Sequence, residues 1–240
     1  IFLMCNLKKK STTKIKKNKF FGLIPAKGTS QEIKEKNLLK IRGETLVSIA
    51  IKNAKKSKYL DSIFISSENK KILNIAKKLD IKLVKRPKKL SKGHVESKYL
   101  VFDFLKKNKD IRLNDFIVYL QPTSPLRTSK HIDDAIKIVL RSGKSALTSI
   151  MCFDSKIFKS VIIKKDQIKT LFKNDHSSQP RQKLPNVYLP NGSIYIFTVS
   201  EFLKNKNFPV NNSIKYLMTK NDSLDIDNLY DYKEVLKRFK

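Results

Sequence analysis

Two aspartates near the carboxyl end of the chain, Asp225 and Asp227, have the residue type and spacing of metal ligands. If the segment around them is extended, both carboxylates point to one side while Ile226, between them, points to the core. Hard divalent cations such as Mg²⁺ take carboxylate oxygens and keep other positions for water and phosphate oxygens. The same spacing also fits a strand end whose carboxylates cap a helix ahead of Leu229, so it leaves both interpretations open.

A second group of charged residues lies in the segment from 20 to 37, where a buried strand runs into a polar loop carrying Lys27, Lys34 and Lys36. The lone Gly28 fits neither the P-loop pattern nor the dinucleotide fingerprint. A triphosphate still needs cations and backbone N–H groups, and loops at the carboxyl ends of strands in open α/β sheets are where such ligands bind. The loop is therefore either a phosphate site or an ordinary solvated connection.

A third segment, Gln121-Pro-Thr-Ser-Pro-Leu-Arg127, follows a buried strand and is stiffened by two prolines. Gln121 can both donate and accept hydrogen bonds, and Arg127 can grip an anion or support the loop. This predicts a rigid substrate-reading loop. The alternative is a structural turn in which Arg127 pairs with a nearby carboxylate.

The elements that must position these residues follow from the alternation of short apolar runs with helical patterns. This alternation predicts an α/β fold with a Rossmann-like, mainly parallel sheet and helices on both faces. We expect strands over 20–26, 62–66, 82–84, 115–120, 146–151 and 193–197, and helices over 45–56, 70–79, 97–107 and 131–140 with a last one from near Leu229.

The regular alternation lapses over residues 153–190. Within this stretch VIIKKDQIKTLF places two strand-like runs around KKDQ, which predicts a projecting hairpin. Because the hairpin has little core of its own to bury, we expect a dimerisation arm that pairs with a second subunit to form a homodimer.

Composition limits the classes of protein that the chain can belong to. The 240 residues suffice for one large domain, expected over 20–240 after a basic tail over 1–19 that lacks the pattern of an export signal. The net charge of +31 is spread along the chain as lysine, which argues against one specific nucleic-acid surface. No apolar run is long enough to span a bilayer. Cys5 and Cys152 are too few for a disulfide scaffold, so we expect a cytoplasmic protein.

Five motifs follow one another in the order IPA-[RK]-G-x-S-x(5)-KN, RP-x-x-L, LQPTSPLR, QPRQ-x-LP with NG-[AS]-IYIF, and S-x-DID. Together they resemble the acylneuraminate cytidylyltransferase family, the CMP-sialic acid synthetases and their relatives. The resemblance covers about residues 20–238. It implies the nucleotide-diphospho-sugar transferase type of fold and a magnesium-dependent transfer of CMP from CTP to a nonulosonic, sialic-type acid, with release of pyrophosphate.

The resemblance also implies roles for individual residues. Catalytic roles fall to Lys36, Asp225 and Asp227, the two aspartates being the metal ligands. The expected nucleotide-binding residues are Lys27, Gly28, Ser30, Asn37 and Arg86. The expected sugar-acid-binding residues are Gln121, Arg181, Asn191 and Tyr195. Structural interpretations stay open for some of them: Arg86 as a turn anchor, Asn191 as part of a turn and Tyr195 as a core residue.

Two departures from the family pattern are visible. In the first loop the family usually has Arg-Gly-Gly-Ser-Lys-Gly-Ile-Pro, and this chain has Lys-Gly-Thr-Ser-Gln-Glu-Ile-Lys from Lys27 to Lys34, which places Glu32 near the polyphosphate. After Arg86-Pro87 the usual Asp, Thr and Ser-rich turn is replaced by residues 92–97. A second hypothesis is therefore a degenerate, non-catalytic member that binds polyanions. His94, His131 and His176 lack metal-ligand spacing, and we expect surface or capping roles for them.

Overall fold

A central sheet organises the protein, seen in a computed structural model that describes residues 17–30, 32–93, 95–172 and 176–239. In these residues the strands are β1 (Phe20–Pro25), β2 (Lys40–Ile41), β3 (Glu44–Thr45), β4 (Ser62–Ser67), β5 (Lys82–Lys85), β6 (Phe116–Tyr119), β7 (Ala146–Phe153), β8 (Val161–Lys164), β9 (Gln167–Thr170), β10 (Val187–Thr198) and β11 (Ile214–Leu217). The helices are α1 (Leu46–Lys55), α2 (Lys70–Lys78), α3 (Lys98–Lys107), α4 (Ser129–Ser142), α5 (Val199–Asn205) and α6 (Leu229–Arg238).

The sheet has the order β11-β7-β10-β6-β1-β4-β5. Strand β10 runs antiparallel to β6 and β7, and the other pairs are parallel. This confirms the predicted α/β class with a mainly parallel sheet. The strand and helix positions predicted from the sequence are also confirmed, with shifts of one to two residues at most ends.

Both faces of the sheet are covered by helices, as strand alternation requires. In β1, Ile24 faces the core formed with α1, α2 and α4, and Leu23 faces the core formed with α3 and α5. Both side chains are fully buried. A third apolar cluster joins α6 to α1, with Ile226 and Val235 at its centre.

Strand β10 is much longer than the predicted 193–197. Its pairing with β7 shifts register between Pro190 and Tyr195, and Gly192 in this irregular stretch has a φ of 71°. Proline and a left-handed glycine are typical of a bulge, and they hid the first half of the strand from a periodicity argument. Strand β11, helix α5 and the β2–β3 hairpin were also not predicted.

The predicted arm contains the expected hairpin of β8 and β9. Lys164 pairs with Gln167, so the connection is the two-residue turn Lys165-Asp166, whose φ angles of 47° and 60° are both left-handed. Every residue of β8 is exposed. The dimerisation role of the arm stays a prediction.

Some predictions fall on residues outside the described ranges, namely most of the basic tail with Cys5, and His94. Among the residues that are described, Cys152 is exposed as a free thiol. None of the described helices combines the length and apolarity that a membrane crossing needs.

Candidate functional site

A cavity opens at the carboxyl ends of β1, β5 and β6, the edge of an open α/β sheet where ligands bind. Loops from four parts of the chain meet there. Seven of the predicted site residues line this cavity: Lys27, Lys36, Asn37, Arg86, Gln121, Asp225 and Asp227.

The two aspartates are placed as the alternation argument expected. Ile226 is fully buried, and its N–H donates to the carbonyl oxygen of Thr123 at 2.9 Å, which ties this segment to the loop after β6. Asp225 and Asp227 therefore both face the cavity. The cap of α6 is formed instead by Asn228 together with Asp231, so neither cavity aspartate supplies it.

The electrostatic surroundings of the two carboxylates differ. Burial raises the pKa of Asp225 above its usual range, and the negative charge of Asp227 raises it further, while hydrogen bonds from Thr123 and Ser124 and the charge of Lys36 act against this. The Ser124 hydroxyl lies 3.2 Å from Asp225 Oδ1. Asp227 is exposed, and its Oδ1 lies 3.0 Å from Lys36 Nζ.

This donor set fits Mg²⁺. A partly buried carboxylate whose charged form is disfavoured, with a second carboxylate beside it, gains from a divalent cation. In the described ranges no group of three or more His, Cys, Asp or Glu side chains could hold a metal. Asp225 and Asp227 would thus leave several coordination positions to water and phosphate oxygens, the usual arrangement for Mg²⁺ at a polyphosphate.

Arg127, which is 1% exposed, holds the rigid loop that follows β6 in place. Its Nη1 donates to the carbonyl oxygens of Gln121 and Ser193, both at 2.8 Å. Burial lowers the pKa of Arg127 to about 10. Arg127 therefore supports the loop, and its hydrogen-bond partners are carbonyl oxygens rather than the carboxylate of the turn interpretation.

Arg86 fits both interpretations given from the sequence, a turn anchor and a nucleotide-binding residue. Its Nη2 donates to the carbonyl oxygen of Ser66 at 2.7 Å, which anchors the end of β5 to β4, and the residue also lines the cavity. Burial lowers the pKa of Arg86 and raises that of neighbouring Tyr119 to about 12. This end of the cavity is therefore lined by buried side chains, one of them anchored to β4.

Asn37 offers the cavity an unused acceptor. Its amide nitrogen donates to the carbonyl oxygen of Lys27 at 2.8 Å, which fixes the first loop. Its Oδ1 is buried and has no hydrogen-bond partner among the residues described. A buried acceptor without a partner is costly, and a ligand donor would satisfy it.

Two predicted nucleotide-binding residues, Gly28 and Ser30, line a neighbouring cavity rather than the first one. This second cavity lies between the first loop and residues 88–93, and Lys92 borders both cavities. The first loop thus presents Lys27 to one cavity and the next residues to the other.

The remaining sugar-acid residues are not gathered in the cavity. Arg181 is exposed in the arm, with its Nη2 3.5 Å from Asp154 Oδ1. Asn191 is buried, and its amide group bonds to the Ser149 and Ser223 hydroxyls at 2.5 and 2.8 Å. Its hydrogen-bonding groups are therefore used within the protein, because the irregularity in β10 turns it inward.

Tyr195 is partly buried and packs against the core. Its ring packs edge-on against Phe208 at 5.2 Å, which agrees with the core interpretation. Burial raises the pKa of its hydroxyl, and the charge of Asp225 raises it further. The hydroxyl end therefore lies within the electrostatic reach of Asp225.

Sequence reasoning missed several residues of the cavity wall. Lys92, Val95 and Ser97 belong to the segment over 92–97 that departs from the family pattern, and the loss of the pattern hid them. Leu90 ends the quoted RP-x-x-L motif, which gave it no role of its own. Thr123 was inside a quoted motif, and its position two residues after Gln121 was the available signal.

His131 has the capping role expected for it. Its backbone N–H and ring complete a capping box with Thr128 at the start of α4.

Comparisons with known proteins place the chain among cytidylyltransferases. A family model described as "Cytidylyltransferase" matches residues 21–237. An N-acylneuraminate cytidylyltransferase of Escherichia coli O18:K1:H7 is 29% identical over 219 residues, covering 90% of this chain and 51% of that protein. A pseudaminic acid cytidylyltransferase of Campylobacter jejuni is 25% identical over 211 residues, covering 87% of this chain and 91% of that protein.

Solved structures share the fold. A CMP:2-keto-3-deoxy-manno-octonic acid synthetase complexed with CTP superposes with a TM-score of 0.65 at 12% identity, over 92% of this chain and 98% of that one. The chain spans about half the length of the Escherichia coli relative and of the similar Streptococcus agalactiae proteins, which it covers to 51% and 52%.

Proposed function

Because the chain belongs to the cytidylyltransferase family and is a nucleotidyltransferase, we propose that it transfers CMP from CTP to the anomeric hydroxyl of a nonulosonic acid. The observation that carries the proposal is the convergence of Asp225, Asp227, Lys36 and Gln121 on one cavity at the carboxyl ends of the strands. Relatives named for N-acylneuraminate, pseudaminic acid and legionaminic acid support the substrate class.

In the proposed reaction the sugar hydroxyl attacks the α-phosphorus of CTP. The bond from this phosphorus to the bridging oxygen breaks, pyrophosphate leaves, and the proton of the hydroxyl passes to the solvent. Phosphoryl transfer of this kind depends mostly on positioning and charge neutralisation. Mg²⁺ held by Asp225 and Asp227 would neutralise charge on the polyphosphate as it reacts.

The protein's own side chains would position the two substrates. Lys27 and Lys36 would contact the triphosphate, and Lys36 would exchange its present partner Asp227 for phosphate oxygen. Asn37 and Arg86 would contact the cytidine, where the free Oδ1 of Asn37 is an acceptor for a nucleoside donor group. Gln121, whose carbonyl is fixed by Arg127, would orient the sugar acid.

The exposed Arg181 suits a carboxylate because its planar fork can bind both oxygens. Within one subunit it is not part of the cavity wall. A role in binding the sugar acid therefore requires movement of the arm or a neighbouring subunit.

We also propose that the protein is a homodimer joined through the arm. Ile163 and Ile168 form a cross-strand pair with 78% and 72% of their surfaces exposed, which is unfavourable in water. Light scattering at micromolar concentration should give twice the chain mass, and an Ile163→Asp, Ile168→Asp double variant should give the chain mass. A wild-type protein that is already a monomer would rule this out.

The experiment that tests the main proposal is pyrophosphate release from CTP and Mg²⁺ with a panel of nonulosonic acids, each against a control without sugar. Release with one acid identifies the reaction and the substrate. A folded protein that is silent across the panel contradicts the proposal.

The second candidate function is polyanion binding by a non-catalytic member. The net charge of +31 and the altered first loop favour it. Binding through charge alone falls steeply as salt rises, since it depends on counterion release. Tight nucleic-acid binding without any response to CTP would support this candidate, whereas CTP-dependent turnover that persists at 300 mM salt, about twice physiological ionic strength, would exclude it.

A further inference from the structure

We propose that Glu68 is a positioning residue that holds together two loops. Both loops border the cavity lined by Lys36, Asp225 and Asp227, which we call the catalytic cavity. It joins the first loop to residues 88–93 and so sets the places of Lys27 and Lys92. The inference rests on the proposed function, in which Lys27 contacts the CTP polyphosphate, and it extends that contact to Lys92 on the same cavity wall.

We call the link that Glu68 makes between the two loops the brace, and its geometry is specific. Gly28 N–H donates to Glu68 Oε1 at 2.7 Å, and the Ser91 hydroxyl donates to Glu68 Oε2 at 2.5 Å. One carboxylate thus receives a hydrogen bond from each loop. The Thr29 hydroxyl adds a direct link by donating to the Ser91 carbonyl oxygen at 2.9 Å.

The residues next to the brace are the ones that line the catalytic cavity. Lys27 precedes Gly28, Lys92 follows Ser91, and both lysines are part of the cavity wall. Glu68 itself borders the second cavity and not the first. It therefore acts on the cavity only through its neighbours, which is the definition of a positioning role.

Glu68 is itself held firmly. It follows the last residue of β4, Ser67, whose hydroxyl accepts from Asn69 N–H at 3.1 Å, and Asn69 caps α2. The carboxylate is thus fixed between a strand end and a helix start. Hydrogen bonds to a carboxylate are of the stronger kind.

Gly28 lies very close to Asn69 at the start of α2. A Cβ at this position would lie 2.3 Å from Asn69 Nδ2 and 2.6 Å from Asn69 Cβ, distances that real carbon atoms do not show. Only glycine allows the first loop to reach Glu68 beside the start of α2. Glycine at position 28 thus serves the brace, which its type alone did not reveal.

If Glu68 instead opposes nucleotide binding, its removal should have the opposite effect on CTP binding. The carboxylate could compete with phosphate for the Gly28 N–H and repel the nucleotide, so its removal would improve CTP binding. A brace predicts that its removal weakens CTP binding. The sign of the change in KM for CTP therefore separates the two roles.

The test compares Glu68→Ala and Glu68→Gln with a matched control, Glu44→Ala, which removes an exposed glutamate paired with Lys52 away from the cavity. For Glu68→Ala we expect KM for CTP to rise about tenfold, the usual effect of losing hydrogen bonds to a charged group. Gln keeps an acceptor of the same reach, so Glu68→Gln should recover part of the loss. KM for the sugar acid and the melting temperature should stay near the wild-type values.

An unchanged or lower KM for CTP in Glu68→Ala would overturn the proposal. An equal rise in both KM values with a lower melting temperature would overturn it as well, because it would show a general structural role. Ser91→Ala removes one end of the brace, and combined with Glu68→Ala it should add little to the single effect. Fully additive effects would contradict a shared brace.

A measurement without substrate separates this proposal from the proposed function. Amide hydrogen exchange over residues 27–30 and 88–93 should be faster in Glu68→Ala than in the wild type and unchanged in Glu44→Ala. Faster exchange supports the brace even if no sugar acid is turned over, and unchanged exchange overturns it. Absence of turnover in the wild type would count against the proposed function alone.

Discussion

Two aspartates lie at opposite ends of the parallel strands, and their surroundings differ. Asp115 lies where these strands begin, which we call the amino edge of the sheet. Asp225 lies beside the loops where they end, which we call the carboxyl edge. Asp115 is 1% exposed and accepts from the N–H groups of Lys19 and Arg112, both at 2.9 Å, and from Arg112 Nη2 at 2.6 Å. Asp225 accepts from the hydroxyl side chains of Thr123 and Ser124 and lies beside a second carboxylate. Strand β6 separates the two sites.

The pKa values differ in direction for this reason. Burial acts to raise the pKa of Asp115, but the hydrogen bonds from Arg112 and Lys19 outweigh it and hold the pKa below its usual value. At Asp225 burial prevails and the pKa is raised. The amino edge compensates its charge within the fold, and the carboxyl edge leaves its charge for a ligand, which is typical of a functional site.

The largest expected effect is on turnover at the carboxyl edge. Asp225→Asn removes a proposed metal ligand, and Asp227→Asn removes the other. We expect each to lower kcat about 100-fold or more, in line with the loss of a group that stabilises transition-state charge. Pyrophosphate release under saturating CTP measures this.

The same Asp225→Asn change should leave the fold intact, because it removes a charge that burial disfavours. The melting temperature should be equal to that of the wild type or higher. Near-normal turnover in both variants would remove the two aspartates from the metal site.

At the amino edge the expected effect is on stability. Asp115→Asn places an amide N–H₂ group among N–H donors, so two or more hydrogen bonds are lost. We expect the free energy of unfolding to fall by about 2 kcal/mol with kcat unchanged. Urea denaturation monitored by circular dichroism measures it. Loss of turnover at full stability would reverse the assigned roles of the two edges.

The stabilising effect of Asp115 should depend on pH. A carboxyl whose pKa is lowered in the folded state stabilises the fold above its unfolded pKa, about 3.9, and loses this effect as the pH falls through the folded value. The difference in unfolding free energy between wild type and Asp115→Asn should be constant from pH 5 to 7 and should shrink below about pH 4. A difference at pH 3 as large as that at pH 7 would contradict it.

The sequence predicted the sheet and the cavity better than the sugar-acid pocket, and the reason is physical. Parallel strands buried on both faces read as apolar runs, and loops at their carboxyl ends must meet. The segment around Ile226 illustrates this, since one buried residue fixed the direction of both aspartates. Glu68 lay at the end of such a run as well, but no motif contains it.

The failures arise where local pattern does not decide the structure. Asn191 follows Pro190 in a strand whose register shifts, so its direction could not be read from alternation. Arg181 lies in an arm that the chain leaves exposed, so nothing within one subunit fixes its position. Strand β11 has only four residues and none of them is fully buried, which gives too weak a signal for periodicity.

The smallest expected effect comes from Lys19, and it sharpens the contrast between the edges. Asp115 binds the backbone N–H of Lys19 and not its ammonium group, so Lys19→Ala keeps the hydrogen bond. We expect a change of less than about 0.5 kcal/mol in the free energy of unfolding, as for other exposed substitutions. Urea denaturation at pH 7, with and without 300 mM salt, measures this change in the free energy of unfolding. A larger loss that disappears with salt would show that long-range charge, rather than the hydrogen bonds of the fold, stabilises the amino edge.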